Sequence, residues 1–328
     1  MNRSSPGGRL FISGALAALV SACGTLPQTA AVAAHADRDG SWMTPGSSTA
    51  DLLYVADVAS NEVDVYSYPA GKQVGTLTGF EGLAFLCADP AGDVFVPNYG
   101  KSEILEYAHG GTTPIATLSD PDSTPYSCSF DSTTGNLAVA NYTTTYGYGD
   151  IAIYEHASGN RHVYLDYDVS YLEFCAYDAK GNLFIEGFDK TNSGDFFGLD
   201  ELLKGAKLLT HITLGDIPAF PIGLQWDGKY LAMGTGTVAG PSSGDTYVYH
   251  VQITGAAGKT IGTTHLVERG PTSSFLIYGS AIIVTGGNPR TRTDVFAYPS
   301  GGKPQMMLTE KAPAGVVVSS GARNDRLP

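Results

Sequence analysis

Gly82-Leu83-Ala84-Phe85, Asp89-Pro90-Ala91-Gly92-Asp93 and Val94-Phe95-Val96-Pro97-Asn98 make up the stretch that decides how this chain folds. Beyond it come Ile104-Leu105-Glu106-Tyr107, a Gly110-Gly111 turn and Pro114-Ile115-Ala116-Thr117-Leu118. These are four short β-patterned runs separated by turn residues. The pattern recurs six times along the chain, about every forty to fifty residues, and that period with four strands per unit is the signature of a propeller blade.

With strands labelled a to d outward from the axis, the repeat begins out of phase. Leu52–Ala56 reads as a strand b and Glu62–Tyr68 as a strand c, whereas the last run, Gly315–Ser319, is a lone strand a. The pieces are complementary. The sequence therefore predicts an all-β, six-bladed β-propeller of four-stranded blades over residues 51–321. The C-terminal strand pairs with the N-terminal b-c-d strands, a closure that removes exposed sheet edges. In the fourth blade, Phe197-Gly198-Leu199-Asp200-Glu201-Leu202-Leu203-Lys204-Gly205 reads as a strand running into one helical turn with a glycine stop.

The N-terminal segment reads as an address. Met1 to Arg9 is basic, Leu10 to Val20 is apolar, and Val20-Ser21-Ala22-Cys23 resembles the bacterial lipobox. Residues 1–22 are thus expected to be a lipoprotein signal peptide, with Cys23 lipidated. Residues 23–50 would form a flexible tether reaching about 30 Å, and 322–328 a disordered tail. The expected location is extracytoplasmic, lipid-anchored to a bacterial cell envelope, with the anchor as the only membrane contact.

The formal charge of −13 becomes −15 without Arg3 and Arg9, which excludes nucleic acid and anionic headgroups as partners by repulsion. Cys87, Cys128 and Cys175 remain beside Cys23. Cys128 and Cys175 stand three residues before Asp131 and Asp178, and Cys87 two before Asp89. They read as small buried apolar side chains on separate innermost strands, and a disulfide would need Cα atoms within about 7 Å, which adjacent blades do not readily offer. No CxxC or HExxH spacing points to zinc.

Gly-Leu-Ala-Phe at Gly82–Phe85 and Asp-x-x-Gly-Asp-Val-Phe-Val-x-Asn up to Asn98, echoed over Ser127–Asn141, resemble the repeat of NHL-repeat and SMP-30-like six-bladed propellers. The resemblance spans about Asp51 to Gly321. It implies the fold more strongly than a function, because such rings host hydrolases, ligand binders and scaffolds.

Strand alternation puts the a–b and c–d turns on one face and the b–c and d–a loops on the other. The first set is short. The second is long and varied, as in Ser119–Pro125, Asn141–Gly149, Asp166–Tyr171, Gly187–Gly194 and Gly234–Gly244, and functional residues concentrate on such loops. Tyr99, Tyr126, Tyr142, Tyr146, Tyr148 and Tyr171 gather there as a candidate binding surface for a small molecule or an envelope protein. Asp57, Asn98, Asn141 and Glu186 at strand b ends, with Glu81 near a strand a start, form a candidate oxygen-ligand ring for Ca²⁺. In kind, Glu81, Asn98 and Asn141 match the metal set of SMP-30-like lactonases. Glycines at Gly187, Gly234 and Gly286 stand where further acids would be wanted, and Asp or Asn at a strand end also makes turns with its own backbone. A second acid, Glu173, lies near another strand a start. Gly240–Gly244 fits G-x-S-x-G without the helix a nucleophile elbow needs, and Asp189–Asp200 only loosely resembles a calcium loop.

Three functions stay open at this stage. The first is a monomeric, non-catalytic binding module acting through the long-loop face without a cofactor. The second is a Ca²⁺-dependent lactonase or hydrolase, and the third a structural envelope protein.

Overall fold

The computed structural model describes residues 40–166, 169–189, 197–215, 221–235, 244–267, 271–286 and 290–321, with the short strand Gln28–Thr29. The lipobox and Cys23, the tail after residue 321 and most of Gly240–Gly244 and Asp189–Asp200 lie outside the described residues.

Almost everything described is antiparallel meander. Leu52–Asp57, Glu62–Ser67 and Lys72–Leu77 follow one another in the first sheet. Cys87–Ala88, Val94–Asn98, Glu103–Tyr107 and Pro114–Ser119 form a second sheet, and Ser123–Phe130, Leu137–Thr144, Asp150–Tyr154 and Arg161–Leu165 a third. Val169–Tyr177, Leu183–Asp189, Phe197–Leu202 and Thr210–His211 form a fourth. A ten-stranded sheet contains two more meanders, Pro221–Trp226 to Ala257–Leu266 and Thr272–Tyr278 to Gly301–Thr309, which meet where Leu266 pairs in parallel with Gly302. The last strand, Pro313–Ser319, returns to pair antiparallel with Leu52–Asp57, bringing Val317 opposite Tyr54.

The tight turns between first and second strands follow from their aspartates. Asp178 Oδ1 accepts the Lys180 and Asn182 N–H groups at 2.8 and 2.9 Å, and Asp227 Oδ1 accepts those of Lys229 and Tyr230 at 2.8 and 2.6 Å. Side-chain oxygens that capture backbone amides two to four residues on are what fix such turns.

The core does not lie in one central mass. Second strands such as Leu137–Ala140 are wholly buried on both faces, so they read as continuous apolar runs rather than alternating ones. Each sheet packs on its neighbours. Ala138, Ala140 and Ile151 of the third sheet meet Leu172, Cys175 and Ile185 of the fourth, and Phe174 and Leu199 of the fourth meet Leu224 and Met233 of the next meander. Inner strands of the sheets described, represented by Cys87, Cys128, Cys175, Leu224, Phe275 and Val317, line one cavity of about 390 Å³.

Three expectations are corrected. Cys87 and Cys128 form a disulfide, with Cα atoms 5.6 Å apart. The reason is a one-residue offset. Cys87 lies two residues before its turn aspartate and Cys128 three, and in a strand of period two that offset turns the side chains to opposite faces, so they point at each other across adjacent sheets. Cys175 shares the phase of Cys128, faces the Ala138 carbonyl and stays a buried free thiol, its pKa pushed up to about 12 by burial.

The helical turn expected after Leu202 is a β-turn instead, in which the Ala206 N–H donates to the Leu203 carbonyl at 2.8 Å and Gly205 adopts φ +78°. The stretch Gly40–Ala50, assigned to a tether, belongs to the folded body. Trp42–Met43 adds an outer strand to Lys72–Leu77, and Ser41 Oγ accepts the Thr78 N–H at 2.9 Å.

Candidate functional site

At one level of the inner strands the antiparallel register slips by a residue. The slips fall between Pro125 and Ser127, Leu172 and Phe174, Pro221 and Gly223, and Thr272 and Ser274. The extra residues are Tyr126, Glu173, Ile222 and Ser273. A bulge of this kind re-aims a side chain that regular pairing would direct elsewhere, and no periodicity in the sequence announces it. The level lies toward the long-loop face.

Glu186 stands opposite Phe174 and Leu199 on its neighbouring strands. The register gives it the position that Gly234 holds in the following meander. A Cβ built on Gly234 would lie 2.7 Å from Ile222 Cγ1 and 2.6 Å from the Phe275 ring. Ile222 is the bulge residue there, so the equivalent position points Glu186 at its own bulge residue, Glu173. Glu186 is fully buried, and neither carboxyl oxygen has a hydrogen-bond partner among the described residues. Burial raises its pKa well above the ordinary carboxylate value, and the Glu173 charge raises it further. Glu173, itself partly exposed, is pushed up to about 7 by burial.

A chain of aromatic rings runs past Glu173. Phe174 packs on Phe85 at 4.4 Å between centroids, Phe85 on Tyr126 at 5.2 Å, Tyr126 on Tyr142 at 5.1 Å and Tyr142 on Tyr171 at 4.9 Å. The Phe85 N–H donates to the Tyr126 carbonyl at 3.0 Å, which ties adjacent inner strands together under the stack. Burial raises the Tyr126 and Tyr142 hydroxyls, Tyr126 to about 12, and the Glu173 charge adds to both shifts. The carboxyl therefore sits within electrostatic reach of both rings. Tyr99 also acts on Tyr126, and its ring fits over Gly82, where φ is +95° and a Cβ would come within 2.3 Å of the ring.

Tyr126, Tyr142, Tyr171 and Tyr99 are thus brought together. Tyr146 and Tyr148 lie on the adjoining hairpin, 82% and 44% exposed, beside Tyr171 at 42%. Phe85, Phe174 and Glu173 complete the cluster, and Phe85 was legible only as the last residue of Gly-Leu-Ala-Phe.

The proposed oxygen-ligand ring is spread over separate tasks. Glu81 is two-thirds exposed and ion-pairs with Lys101 at 3.3 Å. Asn98 Oδ1 accepts the Glu81 N–H at 2.7 Å, and Asn98 Nδ2 donates to Glu103 at 2.8 Å. Asn141 Nδ2 donates to Asp150 Oδ1 at 2.6 Å. Asp57 accepts the N–H groups of Ala59, Ser60, Lys311 and Ala312. Asp57 and Asn98 thereby fasten the loops that enter their own inner strands, and Glu186 faces Glu173, one residue out of phase with the other three. Among the described residues no group of three or more His, Cys, Asp and Glu is placed to hold a metal ion.

No known family profile matches the chain, and no curated protein matches it in sequence. Solved structures do match in shape. One is the crystal structure of a nidogen/laminin complex, which superposes with a TM-score of 0.63 at 12% identity over 83% of this chain and 99% of the other. The chain has a β-propeller-like fold. At that identity the likeness carries the fold alone.

Proposed function

We propose that this chain is a six-bladed propeller of the NHL-repeat and SMP-30-like kind, closed through Pro313–Ser319. In this reading it is exported, lipid-anchored at Cys23, and binds a protein or small-molecule partner through its long-loop face without catalysis. The observation that carries the binding reading is the tyrosine stack, continued by exposed Tyr99, Tyr146, Tyr148 and Tyr171 on that same face. Tyrosine offers large contact area at low entropic cost, and contiguous exposed aromatic surface marks interaction sites. Two further facts agree with it. The Cys87–Cys128 disulfide suits an oxidising compartment. The structurally similar protein named above was solved in a complex with another protein.

The test is affinity capture from envelope extracts with wild type and with a Tyr146→Ser/Tyr148→Ser/Tyr171→Ser variant of equal melting temperature. Loss of specific partners in the variant is expected, and identical partner sets would remove the face from consideration. A melting temperature raised by millimolar Ca²⁺ and insensitive to the tyrosine changes, but lost in Glu81→Ala, would favour the calcium-dependent lactonase instead. The anchor fails as a proposal if Cys23→Ala leaves the protein in the membrane fraction.

A further inference from the structure

We propose that the site formed by Glu173, Glu186 and the Tyr126–Tyr142–Tyr171 stack takes an organic ammonium group, from a free amine or from a lysine side chain of a protein partner. The inference rests on the binding reading of the long-loop face and names the ligand chemistry of that face.

Three observations lead there. Glu186 is fully buried with both oxygens unpartnered, an arrangement that costs several kcal/mol when the group is charged and no cation answers it. Glu173 is the extra residue of the β-bulge beside the Phe174–Glu186 pair and its charge acts on Glu186, so the two carboxyls lie within electrostatic reach of each other. The rings of Tyr126 and Tyr142 lie within electrostatic reach of Glu173, and their negative faces attract a cation. Glu173, partly exposed, offers the direct contact, and a cation bound there would favour ionisation of Glu186 behind it. Lys101, close to Tyr99 in sequence, is already ion-paired with Glu81.

The same facts select among cations. Ca²⁺ takes six to eight oxygens and is strongly hydrated, which two carboxyls lined by aromatic rings do not satisfy. An alkylammonium carries half the charge of Ca²⁺ and is far less strongly hydrated, accepts ring faces as partners and needs only one or two carboxylates. An anionic ligand would be repelled, and a neutral apolar one would leave both acids as they are.

Calorimetric titration of the purified full chain tests this. The probes are choline, its uncharged isostere 3,3-dimethylbutan-1-ol, and CaCl₂. Choline should give saturable heat, the isostere should bind at least about tenfold more weakly, and Glu173→Gln should weaken choline by about tenfold or more. Tyr142→Phe should keep binding and Tyr142→Ala should lose it, with circular dichroism confirming that each variant is folded. Cadaverine and a Gly-Lys-Gly peptide separate the two sources: tighter binding of the peptide indicates a protein side chain, tighter binding of the diamine a free amine, and either supports the ammonium site. Equal binding of choline and its isostere would overturn the proposal, as would no saturable heat for any amine, or Ca²⁺ heat abolished by Glu173→Gln. Failure here with partner capture still sensitive to the tyrosines would leave the binding face standing and remove only the ammonium site.

Discussion

Two pairs of acids at the two ends of the central cavity, Asp131 with Asp227 and Glu173 with Glu186, are treated in opposite ways. At the short-turn end Asp131 and Asp227 are hydrogen-bonded by the turns they create. Burial alone would raise their pKa values, but the bonds from Thr134 and Thr133, and from Tyr230, Tyr298 and Lys229, hold both below the ordinary value. The same end carries the Cys87–Cys128 bond. At the long-loop end Glu186 has no hydrogen-bond partner among the described residues, and Glu173 and Glu186 are both shifted upward. One end is arranged for stability. The other keeps polar groups at a cost that folding alone does not explain, which is the usual mark of a site serving something else.

The sharpest way to break this contrast is to unfasten the first end. Cys87→Ser opens a link between residues 41 apart in sequence, and loop entropy puts the loss at about 3–4 kcal/mol, read by chemical denaturation. A smaller gain should come from extending the fastening. Ser129 stands two residues before Asp131, the phase of Cys87, and its Oγ accepts the Tyr177 N–H at 3.1 Å across the next pair of sheets. Ser129→Cys should therefore oxidise with Cys175 and stabilise the fold by about 3 kcal/mol. Loss of the free thiol checks the bond, and a persistent thiol would overturn the register argument.

Asp227→Ala strands the N–H groups of Lys229 and Tyr230 and the Tyr298 hydroxyl, at about 2–3 kcal/mol. At the other end the sign reverses. Glu173, facing Glu186, Tyr126 and Tyr142, has a folded pKa of about 7 against an ordinary 4.5. The folded state thus binds its proton more tightly, and stability from this group is present below pH 4.5 and lost as pH rises toward 7. Glu173→Gln should be more stable than wild type by about 1–3 kcal/mol at pH 8, with the advantage gone near pH 4. Equal pH profiles of the two melting temperatures would show that Glu173 is not desolvated.

Much of the first end was legible in the sequence. The turn aspartates recur at fixed places, and side-chain capture of nearby amides follows from their chemistry. The disulfide was hidden because Cys87 and Cys128 look equivalent until the phase of alternation is counted residue by residue. At the second end the tyrosines could be read from the length and composition of their loops. Glu173 and Glu186 could both be read at strand ends on this face, but their pairing could not, since it depends on a bulge at Glu173 and on Glu186 being one residue short of the strand end that Asn98 and Asn141 occupy. Asp57 and Asn98 also show that a polar residue at a strand end can be placed there to hold a loop, and Asn141 that it can be placed to pair with a neighbouring strand's acid, Asp150.

The pairing of Pro313–Ser319 with Leu52–Asp57 bears on how the molecule is made. Ala312 donates to an Asp57 side chain 255 residues away, so at about 5–20 residues per second synthesis brings in the covering segment some 10–50 s after the strand it covers. Until then one flank of Leu52–Asp57 stays open to any extended segment that reaches it. A circular permutant starting inside another turn would move this seam to a different pair of strands and shorten the wait for this one.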